Sequence, residues 1–217
     1  MFLEMNFVPL PVNFYEPSAK IVAPQLLGHW LLRKTARGIC GGPIVETEAY
    51  LCDDPACHAS RGQTARNRTM FGPPGHAYVY FIYGNYFCVN AVCRPAGQAE
   101  AVLIRAVEAE FGEEILRANR RVEDIGDLTN GPGKLCDAMD IGRSLDDANL
   151  FDENSSLLIA RNPRAELFRQ ERGPLVKTTR IGITQAADWP LRFYLEGSPF
   201  VSKRIPGSKL RLRSRMG

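Results

Sequence analysis

The sequence predicts an α+β fold: a single mixed domain with a curved, largely antiparallel sheet, flanking helices and a protruding β-hairpin. Segments with strand patterning outnumber helical ones and follow one another without regularly interspersed helices, which argues against a doubly wound sheet. A chain of 217 residues, 45% of them hydrophobic, can bury one sizeable core. Because no internal repeat or long linker divides it, we expect one domain over residues 1–217, with a core at about 18–202 and a basic tail at 203–217.

The first helix is predicted at residues 18–27. Ser18 is a suitable N-cap, and Gly28 follows the last apolar position of the segment. Pro24 predicts a kink or a shorter helix. Turn residues and hydrophobic periodicity place the other elements: strands at 30–34, 39–51, 78–83, 86–93, 101–107, 156–160, 175–183 and 191–195, and helices at 110–119 and 134–140.

Within the second strand, residues 44–51 alternate in character. The odd-numbered side chains, from Val45 to Leu51, suit a core, which turns Glu46, Glu48 and Tyr50 toward a cleft. A carboxylate beside a phenol suits a general base next to a stacking platform. The same pair also fits an exposed strand face, and both interpretations stay open at this point.

Residues 55–99 contain no acidic side chain, although the whole chain has 24 Asp and Glu. This basic region holds an aromatic hairpin in which Gly84-Asn85 predicts a two-residue type II′ turn, flanked by Tyr83 and Tyr86. An aromatic tip in a basic region can wedge between base pairs, although such side chains also pack in cores. We expect an exposed tip and a buried base. This turn would pair Tyr80 with Val89 and put Tyr80 and Asn90 on opposite faces, unless a bulge intervenes.

Three further segments could contact phosphate. The loops at 64–68 and 70–76 combine hydroxyl, guanidinium and backbone donors with turn residues. Residues 130–134 are glycine-rich and begin a predicted helix, although Leu135 stands where a Walker A loop needs Ser or Thr. The basic C-terminal cluster either follows phosphates or forms a solvated tail, which we favour; it comprises Lys203, Arg204, Lys209, Arg211, Arg213 and Arg215.

The cysteines allow a zinc interpretation, which we weigh against a simpler one. Cys52 and Cys57 with His58, and Cys88 with Cys93, form two Cys-x4-Cys pairs. That spacing is at the loose end for structural zinc, and a thiol in an apolar strand behaves as a small hydrophobe. We therefore expect buried thiols and no metal. The chain also shows neither a signal peptide nor a membrane-spanning segment, which predicts a soluble intracellular protein. Its very short N-terminus, without a regulatory extension, favours a bacterial cytoplasmic protein.

Several of these segments together carry a family resemblance. The run at 44–90, with the segments at 101–106, 131–136 and 191–194, resembles the alkyladenine (3-methyladenine) DNA glycosylase family, and the likeness extends over about 19–202. The resemblance implies a monofunctional enzyme of base excision repair that needs no metal or organic cofactor. It implies flipping of alkylated or deaminated purines (3-methyladenine, 7-methylguanine, hypoxanthine, ethenoadenine) out of duplex DNA and hydrolysis of the N-glycosidic bond, which leaves an abasic site.

The resemblance also implies roles for individual residues. Glu48 would be the general base that activates water, and Arg105 would hold that water or orient the carboxylate. The residues implied to bind the base are Tyr50, His58, Tyr80 and, at the pocket floor, Asn90. Tyr83 would fill the gap left in the duplex, with the hairpin in the minor groove. The residues implied to lie along the DNA backbone are Thr64, Arg66, Met70 and Lys134. The link at 51–58 is one residue shorter than the family pattern and has Cys52 in place of glycine.

Two other function classes remain. One is a non-catalytic protein that recognises damage on the same scaffold, and the other is a zinc-dependent nucleic-acid-binding module. The glycosylase interpretation is favoured because Glu48 and Arg105 both occur in their matching contexts. We expect damaged double-stranded DNA as the partner, a monomer in solution, no membrane association, and contact with the bacterial nucleoid through DNA.

Overall fold

The structure is a computed structural model that describes residues 6–204. The strands it contains are Trp30–Thr35 (β1), Gly38–Tyr50 (β2), Ala77–Ile82 (β3), Tyr86–Cys93 (β4), Glu100–Val107 (β5), Leu157–Ala160 (β6), Leu175–Thr178 (β7) and Arg192–Leu195 (β8). The α-helices are Ala19–Leu26 (α1), Glu113–Asn119 (α2), Pro132–Ala138 (α3) and Ala165–Glu171 (α4). Single turns of 3₁₀ helix lie at Val12–Phe14, Arg68–Phe71, Ile125–Asp127 and Arg143–Leu145.

The strands form one curled antiparallel sheet around the long strand β2. The order is β3-β4-β5-β2-β1-β6, with β8 also beside β2 and β7 beside β8. The first half of β2 pairs with β1, and the second half pairs with β5 on one side and β8 on the other. A register shift between Ile44 and Thr47 bends the sheet at the change of partner. The predicted α+β fold with a largely antiparallel sheet is confirmed.

Strand β2 is buried along most of its length. On the back, α1 packs against it, and the Thr47 hydroxyl donates to the Ala23 carbonyl (2.9 Å). Gly41 has a left-handed φ of +132°, and a Cβ there would lie 2.1 Å from the Leu31 carbonyl oxygen. Glycine at this position therefore allows the β1 backbone to lie close to β2, with which it pairs.

The cap of α1 differs in part from the prediction. Ser18 is the N-cap residue, and Gly28 follows the helix with a φ of +86°, as expected. The Ser18 hydroxyl, however, does not cap the helix. The Glu100 carboxylate on β5 accepts both the Ala19 N–H (2.8 Å) and the Ser18 O–H (2.7 Å), because a buried carboxylate is a stronger acceptor than a hydroxyl.

Two element predictions are wrong. The strand predicted at 175–183 ends at Thr178, because the following residues leave the sheet and cross the front of β2. Helix α4 was missed because of its seven side chains only that of Ala165 is buried, so the helix has no apolar stripe. The other predicted strands and helices occur with shifts of a few residues at their ends.

The hairpin connection is three residues long, not two. Tyr83 and Gly84 both have positive φ (53° and 75°), the pattern of a type I′ turn, and the Asn85 N–H reaches the Ile82 carbonyl (3.3 Å). The type II′ prediction is wrong because Gly84 takes the second central position of the turn. Strand pairing begins at Ile82 and Tyr86, with Asn85 as an extra residue.

This register corrects the predicted faces of the hairpin. Tyr80 lies opposite Cys88, and Tyr78 lies opposite Asn90. Because side chains alternate along each strand, Tyr80 and Asn90 share a face, contrary to the prediction for a regular two-residue turn. The expected exposed tip and buried base are confirmed: Tyr83 is 79% exposed and Tyr78 is buried.

Most of the predicted basic tail lies outside the described residues. Of that cluster only Lys203 and Arg204 are described, and Arg204 donates to the Glu196 carbonyl (2.7 Å). Between residues 6 and 204, no helix combines the length and the apolar character needed to cross a membrane.

His29, just after α1, predicts a pH dependence of stability. Its Nδ1 accepts the Asn162 N–H (3.2 Å), and burial, aided by Arg169 and Arg161, lowers the pKa of His29 to about 4. Between about pH 6.5 and pH 4, His29 binds a proton in the unfolded chain but stays neutral in the folded protein. Stability from this group is therefore complete above pH 6.5 and falls by about 3 kcal/mol as the pH drops to about 4.

We expect His29→Gln to flatten this dependence. Urea titration gives the free energy of unfolding of wild type and variant at pH 7 and at pH 4. Subtracting the variant's value from the wild-type value at each pH cancels the contribution of the acidic groups. A difference in unfolding free energy that is the same at both pH values would contradict the assignment.

Candidate active site

One row of paired residues crosses five strands on the front of the sheet. Tyr78 pairs with Asn90, Asn90 with Leu103, Leu103 with Glu48, and Glu48 with Arg192. Directly paired residues point to the same face, so these side chains share the concave side of the sheet.

A cavity of about 530 Å³ opens on this face. Most of the site residues predicted from the sequence line it: Tyr50, His58, Met70, Tyr80, Tyr83, Asn90, Arg105 and Lys134. Glu48 lies just beneath the lining, and Thr64 and Arg66 lie on the surface outside it. The structure therefore brings together residues from β2, β3, β4, β5 and α3.

The Glu48 carboxylate is fully buried, and two hydrogen bonds and one ion pair hold it. Oε1 accepts the Ile181 N–H (2.8 Å), and Oε2 accepts the Tyr50 hydroxyl (3.1 Å). The Arg105 Nη1 atom lies 3.3 Å from Oε2. Because neither Glu48 nor Glu46 is exposed, the interpretation of this segment as an exposed strand face is wrong.

Arg105 lies between two carboxylates. Glu46 pairs with Ala106 and Thr47 with Ile104, which leaves Arg105 as the extra residue of a β-bulge. Its Nε donates to Glu46 Oε1 (3.0 Å) while Nη1 faces Glu48. Burial lowers the pKa of Arg105, but the two carboxylates outweigh burial and hold that pKa above its ordinary value.

Glu46 anchors a polar cluster behind the catalytic candidate. Besides Arg105, its carboxylate accepts Arg192 Nε (2.7 Å), the Ser202 N–H (2.7 Å) and the Ser202 hydroxyl (2.8 Å). Sequence reasoning missed this role, because Arg192 and Ser202 lie far from Glu46 in the chain. The two carboxylates and two guanidinium groups balance in charge, which allows them to be buried together.

Aromatic rings form the walls of the cavity. The His58 ring stands edge-on to Tyr80, with centroids 4.5 Å apart, and its Nδ1 shares a hydrogen bond with the Tyr78 hydroxyl (3.1 Å). Burial, then Arg66, lowers the pKa of His58, so its imidazole is neutral at pH 7. The Asn90 side chain donates to the Tyr78 carbonyl (2.9 Å), which fixes the orientation of its amide in the lining of the cavity.

The predicted backbone-contact residues occupy different environments. Thr64 is exposed, and its N–H donates to Asn67 Oδ1 (2.6 Å). The Asn67 amide nitrogen in turn donates to the His58 carbonyl (2.8 Å). Arg66 is exposed and donates to the Phe81 carbonyl (3.0 Å). Met70 is only 2% exposed, and its main-chain N–H donates to the Asn67 carbonyl (3.0 Å).

At the mouth of the cavity, the first turn of α3 faces the hairpin. The Lys134 ammonium donates to Asn130 Oδ1 (2.7 Å) and lies 3.2 Å from Asp127 Oδ1. A Cβ on Gly133 would lie 3.0 Å from the Tyr86 ring, so glycine allows the hairpin to pack against the helix.

Asp54 and Arg180 are further residues that sequence reasoning missed. Arg180 lies in the segment that the sequence assigned to a strand, and it makes a buried ion pair with Asp54. The following residues, Ile181 to Ile183, line the cavity. The only sequence signal is the position of Asp54 in the shortened link at 51–58.

The cysteines do not form a metal site in the described part of the chain. Cys52 is exposed, whereas Cys57, Cys88 and Cys93 are buried. Across residues 6–204, no three His, Cys, Asp or Glu side chains are grouped so that they could hold a metal ion.

Comparison with known proteins gives one consistent result. A family model described as methylpurine-DNA glycosylase matches residues 13–199. A protein of Methanoculleus marisnigri is 48% identical over 195 residues, which cover 90% of this chain and 99% of the relative. A protein of Koribacter versatilis is 46% identical over 201 residues (91% and 94%), and one of Agrobacterium fabrum is 44% identical over 204 residues (94% and 97%). All three carry 3-methyladenine DNA glycosylase as a provisional name.

Proposed function

The chain belongs to the methylpurine-DNA glycosylase family and is a monofunctional DNA glycosylase, and from this premise we propose how its cavity acts. An alkylated or deaminated purine flips out of duplex DNA into the cavity. Water activated by Glu48 then attacks the sugar C1′ carbon, the N-glycosidic bond breaks, and an abasic site remains. The observation that supports the proposal is the buried Glu48 carboxylate beneath an aromatic cavity. It is ion-paired with Arg105 and accepts the Ile181 N–H.

A carboxylate at this place can serve the reaction twice. It takes a proton from the attacking water and stabilises the positive charge that develops on the sugar, as in other glycoside hydrolysis. Glu48 Oε1 accepts a single hydrogen bond within residues 6–204, from Ile181, and so keeps a lone pair for water. Arg105 orients the carboxylate through Nη1 and is itself fixed by Glu46.

The walls would select damaged purines by charge and shape. Tyr50, His58 and Tyr80 offer π-faces and ring edges to a flipped base, and electron-rich rings attract a cationic alkylated purine. A neutral lesion such as hypoxanthine needs recognition at the base edge, which the His58 backbone would supply. Asn90 at the floor would obstruct the amino group of an undamaged guanine.

The hairpin and its neighbours would hold the duplex. Tyr83 would enter the minor groove and occupy the gap left by the flipped nucleotide. Along the DNA backbone, we place Thr64, Arg66, Met70 and Lys134. We also propose action as a monomer, associated with the bacterial nucleoid through DNA.

We expect Tyr83→Ala to weaken binding to lesion duplex by about tenfold, since one aromatic contact with a base is worth about 1–3 kcal/mol. Fluorescence anisotropy with a labelled duplex measures the change. Leu167→Ala, which removes a 45%-exposed apolar side chain on α4, is the control and should bind as wild type does. Equal affinity of Tyr83→Ala and wild type would remove Tyr83 from the DNA interface.

Base release tests the function itself. Duplexes carrying 3-methyladenine, 7-methylguanine, hypoxanthine or ethenoadenine are incubated with the protein, with and without a chelator, and free base is separated chromatographically. We expect release of at least one of these bases, unaffected by the chelator. Tight binding of damaged duplex without release would instead indicate a damage-recognition protein, and loss of binding with the chelator would indicate a zinc-dependent module.

A further inference from the structure

The ion pair between Asp54 and Arg180 lies directly behind the base-binding wall. Neither side chain is exposed to solvent. Arg180 Nη2 donates to Asp54 Oδ1 (2.9 Å), Nη1 donates to Asp54 Oδ2, and Nη1 also donates to the Ala49 carbonyl (3.1 Å). The pair therefore ties the end of β2 to the link that leads to His58.

Arg180 also stacks on Tyr50. Its guanidinium carbon lies 4.6 Å from the centroid of the Tyr50 ring. Tyr50 lines the cavity and Arg180 does not, so the guanidinium covers the side of the ring away from the cavity. A base that stacks on Tyr50 would meet a ring that already has a cation behind it.

From this arrangement, and on the basis of the proposed function, we propose that Arg180, held by Asp54, determines lesion specificity by favouring neutral over cationic purines at the Tyr50 wall. A guanidinium behind the ring draws its π-electron density away from the cavity side. The attraction of the front face for a cationic base falls accordingly, because cation–π attraction depends on that density. Stacking of a neutral base depends less on it.

The pair is also a positioning device for the reacting groups. Ile181, whose N–H holds Glu48 Oε1, directly follows Arg180 in the chain. On the other side, Asp54 Oδ1 accepts the Ala56 N–H (2.9 Å), which orders the link toward His58. Movement of Arg180 would therefore disturb the Glu48 carboxylate together with the Tyr50 and His58 side chains.

Removal of the whole pair tests the proposal, because removal of one partner would leave a buried charge uncompensated. The variant is Arg180→Met with Asp54→Asn. We expect single-turnover release of hypoxanthine to fall about tenfold and release of 7-methylguanine, which is cationic, to fall less. In equilibrium binding, the affinity ratio of 7-methylguanine duplex to hypoxanthine duplex should rise severalfold.

The matched control removes another bidentate ion pair. Arg172 donates to Glu108 through Nε (2.7 Å) and Nη2 (2.8 Å), and neither residue lines the cavity. Arg172→Met with Glu108→Gln should leave the affinity ratio and the ratio of the two release rates at their wild-type values. Thermal unfolding verifies that each variant folds. Arg180→Lys keeps the charge but loses the planar stacking, so it should shift the affinity ratio in the same direction by a smaller factor. This single variant tests the proposal if the double variant does not fold.

An unchanged affinity ratio in a folded variant would overturn the specificity role, and an equal fall in both release rates would reduce the pair to structural support. The binding ratio is measurable even if the wild type releases no base. Failure of the proposed function, seen as absence of release by wild type, is thus distinguishable from failure of this inference.

Discussion

Replacement of Glu48 by glutamine should abolish base release and leave lesion binding close to that of wild type. The amide matches the carboxylate in shape and can still accept the Ile181 N–H, but it can neither take a proton from water nor stabilise a positively charged sugar. Loss of a general base alone costs about 10²–10⁴-fold in rate. Single-turnover release and anisotropy binding on the same lesion duplex separate chemistry from binding.

The control for this variant is Glu166→Gln, which changes an exposed carboxylate on α4 in the same way. It should release base at the wild-type rate. If Glu48→Gln released base at even a tenth of the wild-type rate, Glu48 could not be the general base, and another group would have to activate the water.

Replacement of Arg105 by glutamine should impair both stability and activity. The variant leaves the buried Glu48 carboxylate with only neutral donors, whereas Glu46 keeps Arg192. Breaking a buried ion pair by removal of one partner costs about 3–5 kcal/mol, which we expect in the unfolding free energy from urea titration. Loss of the guanidinium also removes the group that orients the Glu48 carboxylate, so single-turnover base release should fall.

Arg105→Lys keeps a charge but cannot bridge both carboxylates in the same planar geometry, and it should recover part of the stability and rate. Base release at the wild-type rate by folded Arg105→Gln would show that Arg105 does not act on the Glu48 carboxylate. Unchanged unfolding free energy would likewise contradict the ion-pair geometry.

The strands could be predicted because their signals are local, whereas most of the site residues were identified through the family resemblance. Alternation along β2 separates the back-facing side chains such as Thr47 from Glu46 and Glu48, and strand pairing then carries Glu48 to the same face as Leu103 and Asn90. The resemblance supplied roles for residues that the structure brings around one cavity. Their catalytic and DNA-binding roles remain proposals.

What the sequence could not predict depends on distant contacts or on one backbone angle. The left-handed conformation of Tyr83 shifted the hairpin register by one residue and so reversed the predicted relation of Tyr80 to Asn90. The segment at 179–183 has strand-like composition, but Arg180 leaves the sheet to pair with Asp54. No local pattern marks Glu100 as the cap of α1 or Ser202 as a partner of Glu46.

A crystal structure of Glu48→Gln bound to a duplex that carries ethenoadenine would test the proposed base flipping most directly. We expect the modified base inside the cavity, between Tyr50 on one side and His58 and Tyr80 on the other, with its C1′ carbon facing residue 48 and Tyr83 in the gap of the duplex. A base that stays stacked in the duplex, or DNA bound to another face with the cavity empty, would contradict the proposal.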